Sequence, residues 1–209
     1  MLHKHLSNYK HIIWDWNGTL VNDIAITQFC LNRQLEKKNL PPMEIPELRK
    51  RFHFPVQSFY TSIGLLEEGQ DFSQLNREFH QSYNEKRPHM ALYDGRKTLL
   101  ESLKDQGISQ FILSAAPKLH LEEMMEHFDI GHLFHGVYGL DHHHADSKVH
   151  LGQRLLDEHT IDLSETLLVG DTDHDLEVGR HLNVDVLLVG CGHQDMEYLQ
   201  TLHPHVIMP

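Results

Sequence analysis

Four short, widely separated stretches carry side chains suited to phosphoryl transfer: Asp15-Trp16-Asn17-Gly18-Thr19, Ser114, Lys148 and Gly170-Asp171-Thr172-Asp173-His174-Asp175. Asp15 follows the apolar run His11-Ile12-Ile13-Trp14. A carboxylate so placed can attack phosphorus and form an aspartyl-phosphate. Gly18 lets the backbone approach an anion closely, and the Thr19 hydroxyl can hydrogen-bond a carboxylate or a phosphate. Asp171 and Asp175 lie four residues apart, so a helix starting near Thr172 lets both carboxylates face one mouth. With Asp15 they make three carboxylates that repel unless a cation holds them, and hard oxygen ligands favour Mg²⁺. The Ser114 hydroxyl, with the backbone N–H groups of Ala115 and Ala116, can bind phosphate oxygens near a helix N-terminus. Lys148 can neutralise the charge that Asp15 and a phosphoryl group share.

Taken singly, each has an ordinary reading. An Asp after an apolar run caps a helix or forms a turn, and Asp173 reads that way. A Ser at such a junction is an N-cap, and a lone Lys is a solvated surface residue.

What joins the stretches is the set of elements that must position them. Apolar runs at His11 to Trp14, Gln110 to Leu113, His135 to Tyr138, Thr166 to Val169 and Asp185 to Val189 read as buried strands. The last two are almost continuously apolar, as expected for parallel strands covered on both faces. Helical stripes separate the strands: Leu121, Met124, Met125 and Phe128, with Pro117 early in that segment, then Leu151, Leu155 and Leu156 after Lys148. Alternating strand and helix predicts an α/β fold with a doubly wound parallel sheet. Ligands of such sheets bind at the carboxyl ends of the strands, and the four stretches are all read as ending strands.

The stretch from about residue 22 to 88 breaks this rhythm. Its stripes are helical: Ile24, Gln28, Leu31 and Leu35, then Val56, Phe59, Tyr60 and Ile63, then Phe72, Leu75, Phe79 and Tyr83, punctuated by Pro41-Pro42, Pro46 and Pro55. The expected organisation is a core of residues 1–21 and 89–209, with residues 22–88 inserted after the first strand as a small helical cap. The aromatic stripes read as cap core.

Bulk properties narrow the classes. A chain of 209 residues with 40% apolar and 23% charged residues is ordinary for a globular protein. A formal net charge of -12 argues against a nucleic-acid binder. No apolar run approaches membrane-spanning length, and Met1-Leu2-His3-Lys4-His5 has no signal-peptide core. Cys30 and Cys191 have no metal-ligand spacing and read as free thiols of a reducing compartment. The expectation is a cytoplasmic protein acting on a small phosphorylated metabolite. The run His142-His143-His144 lacks any zinc-site spacing and reads as a polar loop.

In order and placement, these residues resemble the haloacid dehalogenase-like hydrolase superfamily, over nearly the whole chain. Asp15 to Thr19 is similar to its DxDGT first motif, Ser114 and Lys148 stand where the second and third fall, and Gly170 to Asp175 is similar to its fourth, GDxxxD. The layout is most similar to the phosphoglycolate-phosphatase-like branch, with Val149 where its KPxP motif has Pro. The resemblance implies a Rossmann-like core with a helical cap. It implies Asp15 as nucleophile and Mg²⁺ ligand, and a metal contact from the backbone carbonyl of Asn17. Asp171 would bind Mg²⁺ directly and Asp175 directly or through water, while Ser114 and Lys148 would hold the phosphoryl group; Gly18, Thr19 and Ala115 complete the candidate substrate-binding set on their own chemistry.

One departure matters. The resemblance places a second Asp, the general acid/base, where this chain has Asn17. An amide cannot donate a proton as a carboxylic acid can, and losing such a group costs about 10²- to 10⁴-fold. Three explanations stay open: a leaving group that needs no strong acid, a histidine substitute among His174, His193 and the His142 run, or a protein that binds phosphorylated ligands and turns them over poorly. Relatives lacking this Asp include phosphonoacetaldehyde hydrolase, which uses a cap lysine. Lys37, Lys38 and Lys50 are the lysines at issue, so a phosphonatase is the alternative reading.

Overall fold

The computed structural model describes residues 2–140 and 147–208, and the His142 to His144 run lies outside the described residues. A six-stranded parallel sheet forms the centre, in the order β5-β4-β1-β6-β7-β8. Its strands are β1 (His11–Trp14), β4 (Ser109–Pro117), β5 (Gly136–Leu140), β6 (Thr166–Gly170), β7 (Asp185–Val189) and β8 (Val206–Ile207). The apolar runs are continuous because both faces are covered. Ile12 and Trp14 enter one hydrophobic cluster and Ile13 the other, just as Leu167 and Val169 part from Leu168. Around the sheet lie α1 (Leu2–Leu6), α6 (Arg96–Asp105), α7 (Lys118–His127), α8 (Lys148–Glu158), α9 (Asp173–Leu182) and α10 (Met196–Leu202).

The topology puts the chemistry at the middle of one edge. β1 pairs with β4 on one side and β6 on the other, with His11 opposite Ser109 and Thr166. The residues leaving β1 therefore stand between those leaving β4 and β6.

Between β1 and α6 the chain makes an excursion. It leaves through β2 (Val21–Asn22), runs through α2 (Ile24–Lys37), α3 (Ile45–Arg51), α4 (Val56–Ser62) and α5 (Ser73–Lys86), and returns through β3 (Ala91–Leu92), which pairs antiparallel with β2. These helices bury a cluster of their own, built on Leu31, Leu48, Phe59, Tyr60 and Leu65.

Two sequence expectations need correction. Pro117 closes β4 and caps α7 instead of lying within a helix, because its fixed φ suits the turn into a helix and its ring cannot follow a first turn. Ser114 and Lys148 do not end strands. Ser114 lies within β4, whose pairing with β5 shifts register between Leu113 and Pro117. Lys148 is the first residue of α8, with Ser147 as N-cap accepting from His150 N. Cys30 is buried, Cys191 is half-buried, and both are free.

Candidate active site

Asp15 leaves β1 with its backbone N–H donating to Val169 O at 2.9 Å, which fixes it beside β6. The chain then turns at Gly18, whose φ is +74°. A Cβ there would strike the Asp171 carboxylate and the His193 ring, so the motif's glycine is required by space as well as by backbone angle. Thr19 Oγ1 donates to Asp171 Oδ1 at 3.0 Å. Asp171 follows β6, and Thr172 caps α9 in a reciprocal capping box with Asp175. Asp175 Oδ2 accepts from Thr172 N, Thr172 Oγ1 and Asp171 N, which turns its other oxygen toward the centre.

Lys148 Nζ joins the parts. It donates to Asp15 Oδ1 and, at 2.6 Å, to Asp175 Oδ1. All three residues are buried. Asp15, Asp171 and Asp175 each offer an oxygen within 4.8 Å of the others. The structure thus brings together the acidic residues and the lysine singled out in the sequence. Ser114 is buried at the same edge and Ala115 lies on the cavity wall. The Ala116 N–H, expected to face a phosphate, donates instead to Ser114 Oγ at 3.1 Å.

The electrostatics favour a further cation. Burial pushes the Asp15 carboxyl above its usual range; Lys148 opposes this, while Asp175 and Asp171 add to it. Asp175 is held below its usual range because Lys148, Thr172 and backbone hydrogen bonds outweigh its burial. An all-oxygen donor set with surplus negative charge fits a hard divalent ion such as Mg²⁺. Among the described residues the group contains only carboxylates and no soft sulfur ligand.

Asn17 sits in a second network that sequence reading missed. Its Nδ2 donates to Asp23 Oδ2 at 2.9 Å and to the Tyr83 hydroxyl, which itself donates to Asp23 Oδ2 at 2.7 Å. Gly18 N donates to Asp23 Oδ1 at 3.0 Å. His193 bridges the networks, with Nδ1 3.1 Å from Asp171 Oδ2 and Nε2 3.3 Å from Asp23 Oδ1. Burial opposes a charge on His193, but Asp23 and Asp171 outweigh it and hold the imidazole well above its usual range. His193 in turn holds buried Asp23 ionised, below the usual carboxylate range. In the sequence, Asp23 looks like a helix N-cap before Ile24, and Tyr83 is remote in the chain. Only the tertiary fold joins them.

A cavity of about 490 Å³ opens from the carboxylates into the helical excursion. Phe59, Phe72, Phe79 and Tyr83, read from the sequence as cap core, lie on its wall. His174 also lines it. Among the described residues the lysine on the wall is Lys148, and Lys37, Lys38 and Lys50 lie elsewhere. Lys37 pairs with Glu78 at 2.6 Å on the surface. Arg49 ties the excursion to the core by donating to Gly192 O and Cys191 O at 2.7 and 2.6 Å.

Comparison with known proteins places the chain in a family. The family model described as haloacid dehalogenase-like hydrolase matches residues 12–189. A 5'-nucleotidase of Pseudomonas aeruginosa is 26% identical over 94% of this chain and 89% of its own. A phosphoglycolate phosphatase of Haemophilus influenzae is 27% identical over 64% of this chain and 63% of its own. The structure of a haloacid dehalogenase-like family hydrolase from Streptococcus pneumoniae superposes with a TM-score of 0.82 at 21% identity, over 97% of this chain and 94% of that one.

Proposed function

The chain belongs to the haloacid dehalogenase-like hydrolase family, and from that membership we propose that it hydrolyses phosphomonoesters of a small metabolite through a phosphoryl group carried on Asp15. The observation that carries the reading is the buried contact of Lys148 with Asp15 and Asp175 at the carboxyl edge of the central strand. The named activities of the relatives, 5'-nucleotidase and phosphoglycolate phosphatase, agree with phosphoester hydrolysis.

Asp15 Oδ attacks phosphorus as the bond to the leaving oxygen breaks. Water then displaces the carboxylate from phosphorus. Lys148 orients Asp15 and offsets the charge it shares with the phosphoryl group. Ser114 and the Ala115 backbone hold phosphoryl oxygens, and Gly18 and Thr19 shape the approach. Asp15, Asp171, Asp175 and the Asn17 carbonyl would hold Mg²⁺, which when bound supplies the positive charge that lets three carboxylates and a phosphate share one site. Residues 22–88 serve as a cap that closes over the site and excludes water, tied down by Arg49.

A second reading is a protein that binds phosphorylated ligands and turns them over weakly. Asn17 favours it, since its amide has no proton to give. Phosphate release across a panel of phosphoesters, with Asp15→Asn and Asn17→Asp beside wild type, separates the two. Turnover in wild type that is lost in Asp15→Asn supports the hydrolase. Silence in wild type with activity in Asn17→Asp supports the weak binder. The phosphonatase alternative finds no lysine on the cap side of the cavity among the described residues.

A further inference from the structure

We infer that the substrate is an aryl phosphate, its leaving oxygen attached directly to an aromatic ring that carries a hydrogen-bond acceptor for Arg87. The inference rests on the hydrolase reading above, and three observations converge on it.

The first is the cavity. Its volume of about 490 Å³ is in the range of small-molecule sites, far more than a phosphoryl group with a two-carbon acid fills. Beyond the phosphoryl end its wall is aromatic, with Phe52, Phe59, Phe72, Phe79 and Tyr83 presented from the cap. Such rings favour a flat apolar partner. Among the described residues no other arginine or lysine of the cap lies on this wall, and Arg49 is held on core carbonyls and Arg51 on Glu47. A small, highly anionic leaving group therefore finds little to hold it.

The second is Arg87. It lies on the cavity wall just after α5, with Nη2 paired to Glu123 Oε2 at 2.7 Å. Its Nη1 is buried and has no hydrogen-bond partner among the described residues. A buried donor left unmade is unfavourable, and a turn of the guanidinium toward the cavity would let an acceptor on a bound ring satisfy it.

The third is Asn17. Both of its amide hydrogens are already taken, one by Asp23 and one by Tyr83, and the Tyr83 proton is itself given to Asp23. This cluster hands the leaving oxygen no proton. An aryl oxide tolerates that, since a phenol has a pKa of about 10. An alkoxide is closer to hydroxide, whose parent acid water has a pKa of about 15.7. The Asp15 O–P bond forms while the aryl O–P bond breaks, and the electron pair leaves on the aryl oxygen. Water then adds to phosphorus, freeing the Asp15 carboxylate and inorganic phosphate, and the aryl oxide takes up the proton that water releases.

The test measures kcat/KM for phenyl phosphate, 4-nitrophenyl phosphate, O-phosphotyrosine, cyclohexyl phosphate, adenosine 5'-monophosphate and phosphoglycolate. The proteins are wild type, Arg87→Met and Asn17→Asp. Expected is a preference of about 10²-fold or more for the aryl esters over the other three. Arg87→Met should lower the two acceptor-bearing aryl esters about tenfold while leaving phenyl phosphate within about twofold. Asn17→Asp should raise the alkyl esters more than the aryl ones. Adenosine monophosphate or phosphoglycolate matching the aryl esters overturns the inference while leaving the hydrolase intact, as does an Arg87→Met loss equal for phenyl and 4-nitrophenyl phosphate. If no ester is hydrolysed, the hydrolase reading fails by itself. Calorimetric binding of phenyl against cyclohexyl phosphate then decides the ligand class: tighter aromatic binding supports it, and equal binding overturns it.

Discussion

Asn17 Nδ2 lies 2.9 Å from Asp23 Oδ2, so the amide that replaces an expected carboxylate is held by a buried carboxylate six residues on. An acid at position 17 would face Asp23 as a like charge. The pair explains locally why an amide is tolerated there: it satisfies Asp23 where a second carboxylate would not.

Replacing Asp23 exposes that dependence. In Asp23→Ala, the charged His193 loses one of its two carboxylates, and Asn17, Tyr83 and Gly18 lose an acceptor. Breaking a buried pair by removing one partner costs about 3–5 kcal/mol. Urea denaturation should show a loss of that order, with Asp23→Asn milder than Asp23→Ala.

Asp15→Asn should reduce phosphate release by at least about 10³-fold while leaving the protein folded, because it removes the nucleophile and keeps the side chain's shape. Circular dichroism on the same preparation checks the fold. Activity within tenfold of wild type would exclude Asp15 as the attacking group.

Metal binding has its own signature. Saturating Mg²⁺ at about 100 times its dissociation constant should stabilise the protein by about 2.7 kcal/mol, or about 5–10 °C in Tm for a chain of this size. Asp171→Asn removes one of the three clustered carboxylates and should abolish the shift. A chelator should remove both the shift and the phosphate release.

His193 predicts a pH dependence in metal-free protein. Its folded-state pKa is raised, with Asp23 and Asp171 overcoming burial. Its contribution to stability is therefore complete below about pH 6.5, the unfolded value, and is lost as pH rises through the higher folded value. Imidazole resonances followed by NMR should show His193 still charged well above pH 6.5. Denaturation midpoints should fall over that interval in wild type and stay flatter in His193→Gln.

The parallel strands were legible in the sequence because burial on both faces writes a continuous apolar run. Ile12-Ile13-Trp14 and Leu167-Leu168-Val169 divide between the two sides of the sheet, yet every position is apolar. Asp15, Asp171 and Asp175 were legible because their spacing is local to the ends of such runs. β2, β3 and β8 are two residues each, too short to carry a period. The α3 helix contains Pro46 near its start, where the ring is tolerated, so a residue read as punctuation opens a helix. The stripe Phe72, Leu75, Phe79 and Tyr83 was legible as a helix but not as a cavity wall, since one apolar face serves core and ligand alike. Arg87 gave no signal, and Tyr83 none beyond its place in that stripe, because their partners Glu123 and Asp23 are distant in the chain.

The pairing of β2 with β3, Val21 opposite Leu92 and Asn22 opposite Ala91, has a consequence for how such a protein can change. The excursion begins and ends at one closed clasp a few residues from Asp15. Its two ends stay at a fixed separation whatever lies between them. Helices there can be lengthened, shortened or exchanged for another module without shifting the register of β1 against β4 and β6. The strand edge that carries Asp15 and the helical excursion can then diversify as separable parts of one chain.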